Sequence, residues 1–398
     1  MYNFLKKILS PKDINETKAP QEIYRSFYSS AGTVVTPETA LKTGAVWRAV
    51  DLISSQVAKM PCHLRKTNGE LIEKAVDDPR YNLVKAEPEH GVTAFTFFKT
   101  LVSHVALRGN GYAYILRDSN FKPIELWVIP PEYVLPQRVD GEVFYLVKLK
   151  DKAYRIDYFS MLHVKGLGYD GLQGYSVIEY FATDCGLSQA MRDYSAEFFA
   201  NGAVVDKVVS PTTPLDKANY ELLLKSWKSE FTGSNNRHKT AVSPSPLDIK
   251  AISNTARDSQ LIEARAFSIR DIANWFGIPP HKLGDNSRTA YNSIEAENMA
   301  FLSDTLDAHL VNIEQEMNIK LLTEDEKRKG LFFFEFNRDS LLRTDTATRY
   351  NSLIKATGAP ILTVNEARRI ENFNPIEGKD TLLQPLNMGD SANVQQTN

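Results

Sequence analysis

Leu302, Leu306, Leu310, Ile313, Met317 and Leu321 recur at three- and four-residue intervals, the spacing that holds apolar side chains on one stripe of an α-helix. Asn292 with Glu295 forms a capping pair ahead of the stripe, so the pattern predicts a helix over 292–322. Thirty residues make a rod of about 45 Å. Two further long helices are predicted upstream. One, over 176–201, carries Phe181, Cys185, Met191, Tyr194 and Phe198 and is closed by Asn201-Gly202. The other, over 258–276, carries Leu261, Ile269, Ile272 and Phe276 and is stopped by Gly277 and Pro279-Pro280. Between these two lies a small insert. It reads as a strand at 204–209, a helix at 215–231 and short strands at 241–242 and 247–252, with 233–238 its most loop-like stretch. A polar loop, 284–291, leads to the third rod. That layout suits an elongated subunit better than a globular enzyme.

The first 165 residues have a different grammar. Thr36-Pro37 marks a helix start, and Val46, Val50, Ile53 and Val57 give its stripe before Met60-Pro61 stops it. Strands at 62–65 and 71–73 flank Asn68-Gly69, a hairpin turn signal. A helix over 93–107 leads into the alternating Tyr112-Ala-Tyr-Ile-Leu116, and further strands are expected near 126–129, 143–149 and 161–164. This is an α+β domain rich in antiparallel pairing. Asp77-Asp78-Pro79 and Glu324-Asp-Glu326 both read as solvated turns. Phe332–Phe336 reads as a strand. The remainder is helical, with Thr363 and Glu366 as a capping box, and a polar tail follows from Met388.

Charge and cysteine content narrow the function. The formal net charge is −2 with 24% charged residues, so the basic excess of a protein that grips duplex DNA through many phosphates is absent. Cys62 and Cys185 are the only cysteines, which excludes a CxxC redox site and a Cys-rich zinc site. The start, Met1 to Leu9, lacks the apolar core of a secretory signal, and the apolar runs are far short of a membrane span.

The motifs that could signal catalysis fail on context. Gly166-Leu-Gly168-Tyr-Asp-Gly171 is a literal G-x-G-x-x-G, the fingerprint that lets a backbone approach a pyrophosphate, and Asp193 stands at about the distance of a ribose acid. Its flanks, however, read as antiparallel hairpins, and the helix starts later, at Gly174/Ser176. A glycine turn that sets the approach to a helix is the preferred reading. Gly174-Tyr-Ser176-Val-Ile178 lacks the second glycine of a nucleophile elbow, and Ser176 reads as a cap. No G-x-x-x-x-G-K-[ST] occurs, and the seven histidines are scattered without H-E-x-x-H. No catalytic, cofactor or metal residue is assigned.

Seven stretches, in this order, resemble the HK97-type phage portal family: Ala45-Val-Trp-Arg-Ala-Val to Pro61; Gly109-Asn-Gly-Tyr-Ala-Tyr-Ile-Leu-Arg117; His163-Val-Lys-Gly with Asp170-Gly-Leu-Gln-Gly-Tyr-Ser176; Phe198-Phe-Ala-Asn-Gly-Ala203; Gln260 to Arg265 with Phe276-Gly-Ile-Pro-Pro280; Ala290-Tyr-Asn-Ser-Ile-Glu295; and Thr363-Val-Asn-Glu-Ala-Arg368. Together they cover nearly the whole chain from Thr36 to Asn387.

The resemblance implies a fold and a set of partners. The fold is a portal-type elongated α+β subunit: a flexible arm (1–35), wing (36–175), first stem helix (176–201), clip (202–257), second stem helix (258–277), tunnel loop region (278–292), long helix and wing strand (293–338), crown helices (339–387) and disordered tail (388–398). It implies a homo-oligomeric ring of twelve around DNA, served by a large terminase ATPase, the major capsid protein and a head–tail adaptor, with no membrane and no cofactor. The chain would sit at the portal vertex of the virion, after assembly in the host cytoplasm. Asn286, Ser287, Arg288, Thr289 and Asn292 would face DNA, and Asn235, Asn236, Arg237 and His238 would meet the motor. The competing readings are a nucleotide-dependent oxidoreductase built on Gly166–Gly171, with NAD or FAD, and a head–tail adaptor that forms no ring.

Overall fold

The computed structural model describes residues 17–18, 27–28, 34–69, 71–149, 152–200, 207–211, 216–221, 225, 247–251, 269–285, 297–338, 346–359, 361–371 and 373–383. They fall into two units, Met1–Phe336 and Asn337–Asn398.

In the first unit, three two-residue strands stand in the expected arm: β1 (Thr17–Lys18), β2 (Phe27–Tyr28) and β3 (Val34–Val35). The first predicted helix arrives in two pieces. Thr36 accepts the amide of Thr39, with Pro37 at the first helical position of α1 (Pro37–Ala40). After a turn, α2 (Gly44–Lys59) begins. Its stripe Val46, Val50, Ile53 and Val57 is buried, and it packs on α4 (Ala94–Arg108). The predicted hairpin is β4 (Cys62–Asn68) with β5 (Leu71–Lys74). The turn expected at Asp77-Asp78 forms, closed by the Asp78 amide on the Ala75 carbonyl, and the Asp78 carboxylate also caps α3 (Pro79–Lys85), with proline where a missing N–H costs nothing.

The left-handed Gly109, φ 70°, ends α4 and turns the chain into β6 (Asn110–Arg117), which pairs antiparallel with β7 (Pro123–Ile129) and β11 (Met161–Lys165). A second sheet runs β1-β10-β9-β8, through β8 (Val134–Val139), β9 (Glu142–Leu149) and β10 (Lys152–Asp157). Tyr112, Trp127, Tyr145, Val147 and Met161 form the core between the two sheets, each such side chain stabilising the fold by about 1.5–3 kcal/mol on burial.

Ser176 caps a short α5 (Val177–Tyr180), and after a break at Phe181 the chain continues as α6 (Ala182–Ala200). In the insert, β12 (Lys207–Pro211) pairs antiparallel with β13 (Leu247–Ala251). The second long helix is described over 269–275. The third is helical at 297–300, passes through a π-helical turn, Phe301–Leu306, and continues as α7 (Asp307–Leu321). α7 lies against β11 and β14 (Phe332–Phe336), and β14 completes the β4–β5 sheet. The acidic cluster is no turn. Thr323 and Glu326 form a capping box on α8 (Glu324–Lys329), and Arg80 bridges Asp78 at 2.8 Å and Glu326 at 2.7 Å. Burial opposes the Glu326 charge, but the Arg80 bond and the two Thr323 bonds together outweigh it and hold this carboxyl down at about 2.

The second unit holds α9 (Thr346–Gly358) and α10 (Val364–Ile370). The Thr363–Glu366 capping box forms as the sequence predicts. Asn365 closes the following segment by exchanging hydrogen bonds of 2.7 and 2.8 Å with the Ile376 backbone.

Candidate functional site

The glycine turn between β11 and α5 is built for backbone contact. A Cβ at Gly168 would stand 2.2 Å from the Gln173 carbonyl oxygen, and one at Gly174 would stand 2.0 Å from that of Gly109. The Gly166 amide donates to the Gly109 carbonyl at 2.7 Å. Asp170 accepts the amides of Leu172 and Gln173, which hold its carboxyl below the usual range. Both strands beside β6 are antiparallel to it, so no βαβ unit stands here. Asp193 lies on α6, paired with Arg192, not at the end of a second parallel strand. The dinucleotide reading therefore fails on topology and on amide use.

What the turn does is fix the start of the first long helix. Asn110, fully buried, donates from Nδ2 to the Gly174 carbonyl at 2.7 Å and accepts the Gly174 amide on Oδ1 at 2.8 Å. The same oxygen lies 3.0 Å from His163 Nε2, and His163 Nδ1 lies 3.3 Å from the Tyr145 hydroxyl. Burial keeps this imidazole neutral by pushing its pKa well down. Nε2 therefore carries the proton and Nδ1 accepts from Tyr145. Ser176 donates to the Leu107 carbonyl and accepts the Glu179 amide. The Phe181 ring then stacks on Trp275 at 4.6 Å and 8°. Among the described residues, the start of the first helix thus meets the end of the second.

The polar loop is fastened on both flanks. The helix over 269–275 ends at Gly277, φ 61°, and Thr305 in the π-helical turn donates to the Gly277 carbonyl at 2.6 Å. A 3-10 turn, Pro280–Leu283, closes at the left-handed Gly284. On the near side of the loop, Asp285 bonds Arg270 Nε at 2.6 Å. On the far side, Glu297 meets His281 Nδ1 at 2.6 Å, and Lys282 sits over the Phe301 ring. Asn286, Ser287, Arg288, Thr289 and Asn292 lie between these anchors, outside the described residues. So do the Asn292–Glu295 cap and Asn235, Asn236, Arg237 and His238 of the insert. Sequence reasoning missed every anchor. Only the glycine and proline stops around 277–280 were visible as local signals.

A second polar cluster fixes the third helix to β11 and the turn before it. The Lys320 ammonium, with no exposed side-chain area, lies 3.4 Å from Glu316, donates to the Tyr158 and Met161 carbonyls, and stands over the Tyr158 ring. Glu316 in turn accepts the His163 amide at 3.0 Å. Among the described residues, no group of three His, Cys, Asp or Glu side chains could hold a metal ion, and no helix is long and apolar enough to cross a membrane.

Comparison with known proteins gives a consistent result. The model of the family described as phage portal protein matches residues 44–372. The portal protein of Enterobacteria phage HK97 is 29% identical over 355 residues, covering 88% of this chain and 83% of that protein. The probable portal protein of Streptomyces phage phiC31 is 26% identical over 377 residues, covering 91% and 82%. Among solved structures, an HK97 family phage portal protein from Corynebacterium diphtheriae aligns with a TM-score of 0.57 at 18% identity, covering 79% of this chain and 99% of that one. A chain of the neck of a native gene transfer agent particle, computed with C12 symmetry, aligns with a TM-score of 0.60 at 20% identity, covering 88% and 96%. These structural likenesses are of fold.

Proposed function

Because the chain belongs to the phage portal protein family, we propose that twelve copies close into a ring at one capsid vertex and form the channel through which DNA enters and leaves. The observation that carries this is the family match, which runs over residues 44–372. The C12 neck with the same fold supports the subunit number. The resident place of the protein is then the virion, reached after assembly in the host cytoplasm. No catalytic step falls to this chain. It has no phosphate-binding loop of the G-x-x-x-x-G-K-[ST] type, so the work of packaging belongs to a separate motor, a large terminase ATPase. That motor, and later the head–tail adaptor, would dock on the clip, 202–257, through Asn235, Asn236, Arg237 and His238. The wing would meet the major capsid protein.

In this reading the stretch that includes Asn286, Ser287, Arg288, Thr289 and Asn292 faces DNA. Two facts support it. The flanks are clamped by Arg270–Asp285 and His281–Glu297, and the stretch carries a single cation, Arg288, among uncharged residues. Many phosphate contacts would trap a duplex that must pass in both directions. Arg288→Ala is expected to lower DNA packaging several-fold while rings still assemble, as read by packaged-DNA yield and electron microscopy of the same preparation. Loss of rings would show that the residue serves assembly instead. The ring itself is tested by negative-stain imaging with mass photometry. Annular particles near twelve times the 44.9-kDa chain are expected, and a protein that stays monomeric even during capsid assembly would overturn the proposal.

A further inference from the structure

The turn that aims the first stem helix also opens a cleft of about 350 Å³, lined by Arg108, Tyr169, Asp170, Gln173, Tyr175 and Glu179 among others. Nothing in the described chain covers its rim. Tyr169 is 91% exposed, Leu167 85% and Tyr180 66%, and the Tyr175 and Tyr180 rings lie 4.9 Å apart. Scattered apolar residues on a surface are ordinary, but four within one short turn and helix start mark an interaction surface. The cleft is also rigid. Its floor is pinned by Asn110 and by the Gly174–Gly109 contact, so a partner would lose little ordering entropy on entering.

Charge identifies the kind of partner. Asp170 and Glu179 line the cleft, and its one cation, Arg108, already faces Glu38 at 3.0 Å and Glu132 at 3.7 Å. Burial raises the Glu179 pKa and Arg108 only partly offsets it. With two carboxyl groups against one cation that is already paired, the lining disfavours a phosphate. It favours a cation set among aromatic faces. On the exposed side of α2 this chain carries that chemistry: Trp47 is 61% exposed, with the exposed Arg48 beside it. A rotational ring joins two different faces of identical subunits.

We infer that the cleft at Tyr169–Glu179 receives Trp47 and Arg48 of the neighbouring copy and forms part of the subunit interface. The inference rests on the ring reading above, which rings of the unaltered chain establish separately. Tyr169→Ser and Trp47→Ser, both at exposed positions, should leave the monomer's circular dichroism and melting temperature unchanged. Each should weaken ring formation on the order of ten-fold in mass photometry, as expected for an aromatic anchor. The double variant should be no weaker than either single one, because both remove the same contact. A photo-crosslinking phenylalanine analogue at Tyr169 should join two chains through the peptide that contains Trp47. Rings indifferent to both substitutions, effects that multiply, or crosslinks to any other segment would overturn the inference.

Discussion

Lys320→Ala is expected to lower the stability of the folded chain by about 3–5 kcal/mol, the cost of breaking a buried ion pair from one side. The lysine is 2% exposed and Glu316 8%, so removing the ammonium leaves a nearly buried carboxylate without its partner charge. It also strips the Tyr158 and Met161 carbonyls of their donor. Lys320→Met with Glu316→Leu should lose less, because an apolar pair of similar volume carries no stranded charge. It should not be neutral, since the His163 amide loses its acceptor, which costs about 1–3 kcal/mol. Thermal unfolding by circular dichroism reads both. Burial pushes the Lys320 pKa down to about 8 against the attraction of Glu316, from 10.5 in the unfolded chain. Between those values the unfolded chain holds a proton that the folded one has released. The contribution of Lys320 to stability therefore rises with pH across that window. Above 10 the buried Tyr145 hydroxyl, whose pKa burial raises, works in the opposite direction. Wild type should gain on Lys320→Met as pH goes from 8 towards 10. A Lys320→Ala protein that melts with the wild type would sink this account.

The same helix shows what a sequence can and cannot carry. Leu306, Leu310, Ile313, Met317 and Leu321 are buried as their spacing predicts, but Leu302 is only partly so and Phe301 takes its place. The reason is the π-helical turn, whose i→i+5 bonding moves the inward position from four residues before Leu306 to five. A 3.6-residue template has no means of seeing that. Glu316 and Lys320 were hidden differently. Charged residues at i and i+4 read as a solvated face until β11 and the 158–160 turn are laid against them. Pro136 stands within β8, the edge strand of its sheet, where a missing donor is tolerated. Arg80 and Glu326 lie 246 positions apart, beyond any local pattern. Among the described residues, the helical stretches, the Asn68-Gly69 hairpin, the Thr36, Ser176 and Thr363 caps and the Gly277 stop were legible because each is a local property of the chain. The anchors flanking residues 286–296 pair residues from separate segments, so only the fold brings them together.

Gly174→Ala is expected to cost about 3 kcal/mol or more, at the upper end of overpacking effects, and to abolish ring assembly. The new methyl would meet the Gly109 carbonyl oxygen at 2.0 Å and the Gly166 amide nitrogen at 2.8 Å. Both are backbone atoms, so no side-chain rotation relieves the clash. Gly174 must move, and it cannot do so without losing the two bonds to Asn110 that also orient His163. Gly171→Ala is the control. Its φ is +67° but nothing stands within 4 Å of a Cβ there, so it should cost only the left-handed penalty of about 1–2 kcal/mol and leave rings intact. The two variants separate the two meanings of the same glycines. In a phosphate-binding loop Gly171 would be the glycine at which the helix packs on the strand, whereas in a helix-aiming turn the close contact is at Gly174. The functional consequence follows from symmetry. In the proposed ring each subunit's error repeats at every interface, so a few degrees of tilt in the first long helix accumulate around the circle and the last contact fails to close. Thermal unfolding of the monomer together with ring counts for both variants distinguishes the cases. A Gly171→Ala protein that is the more damaged of the two would reject the aiming role.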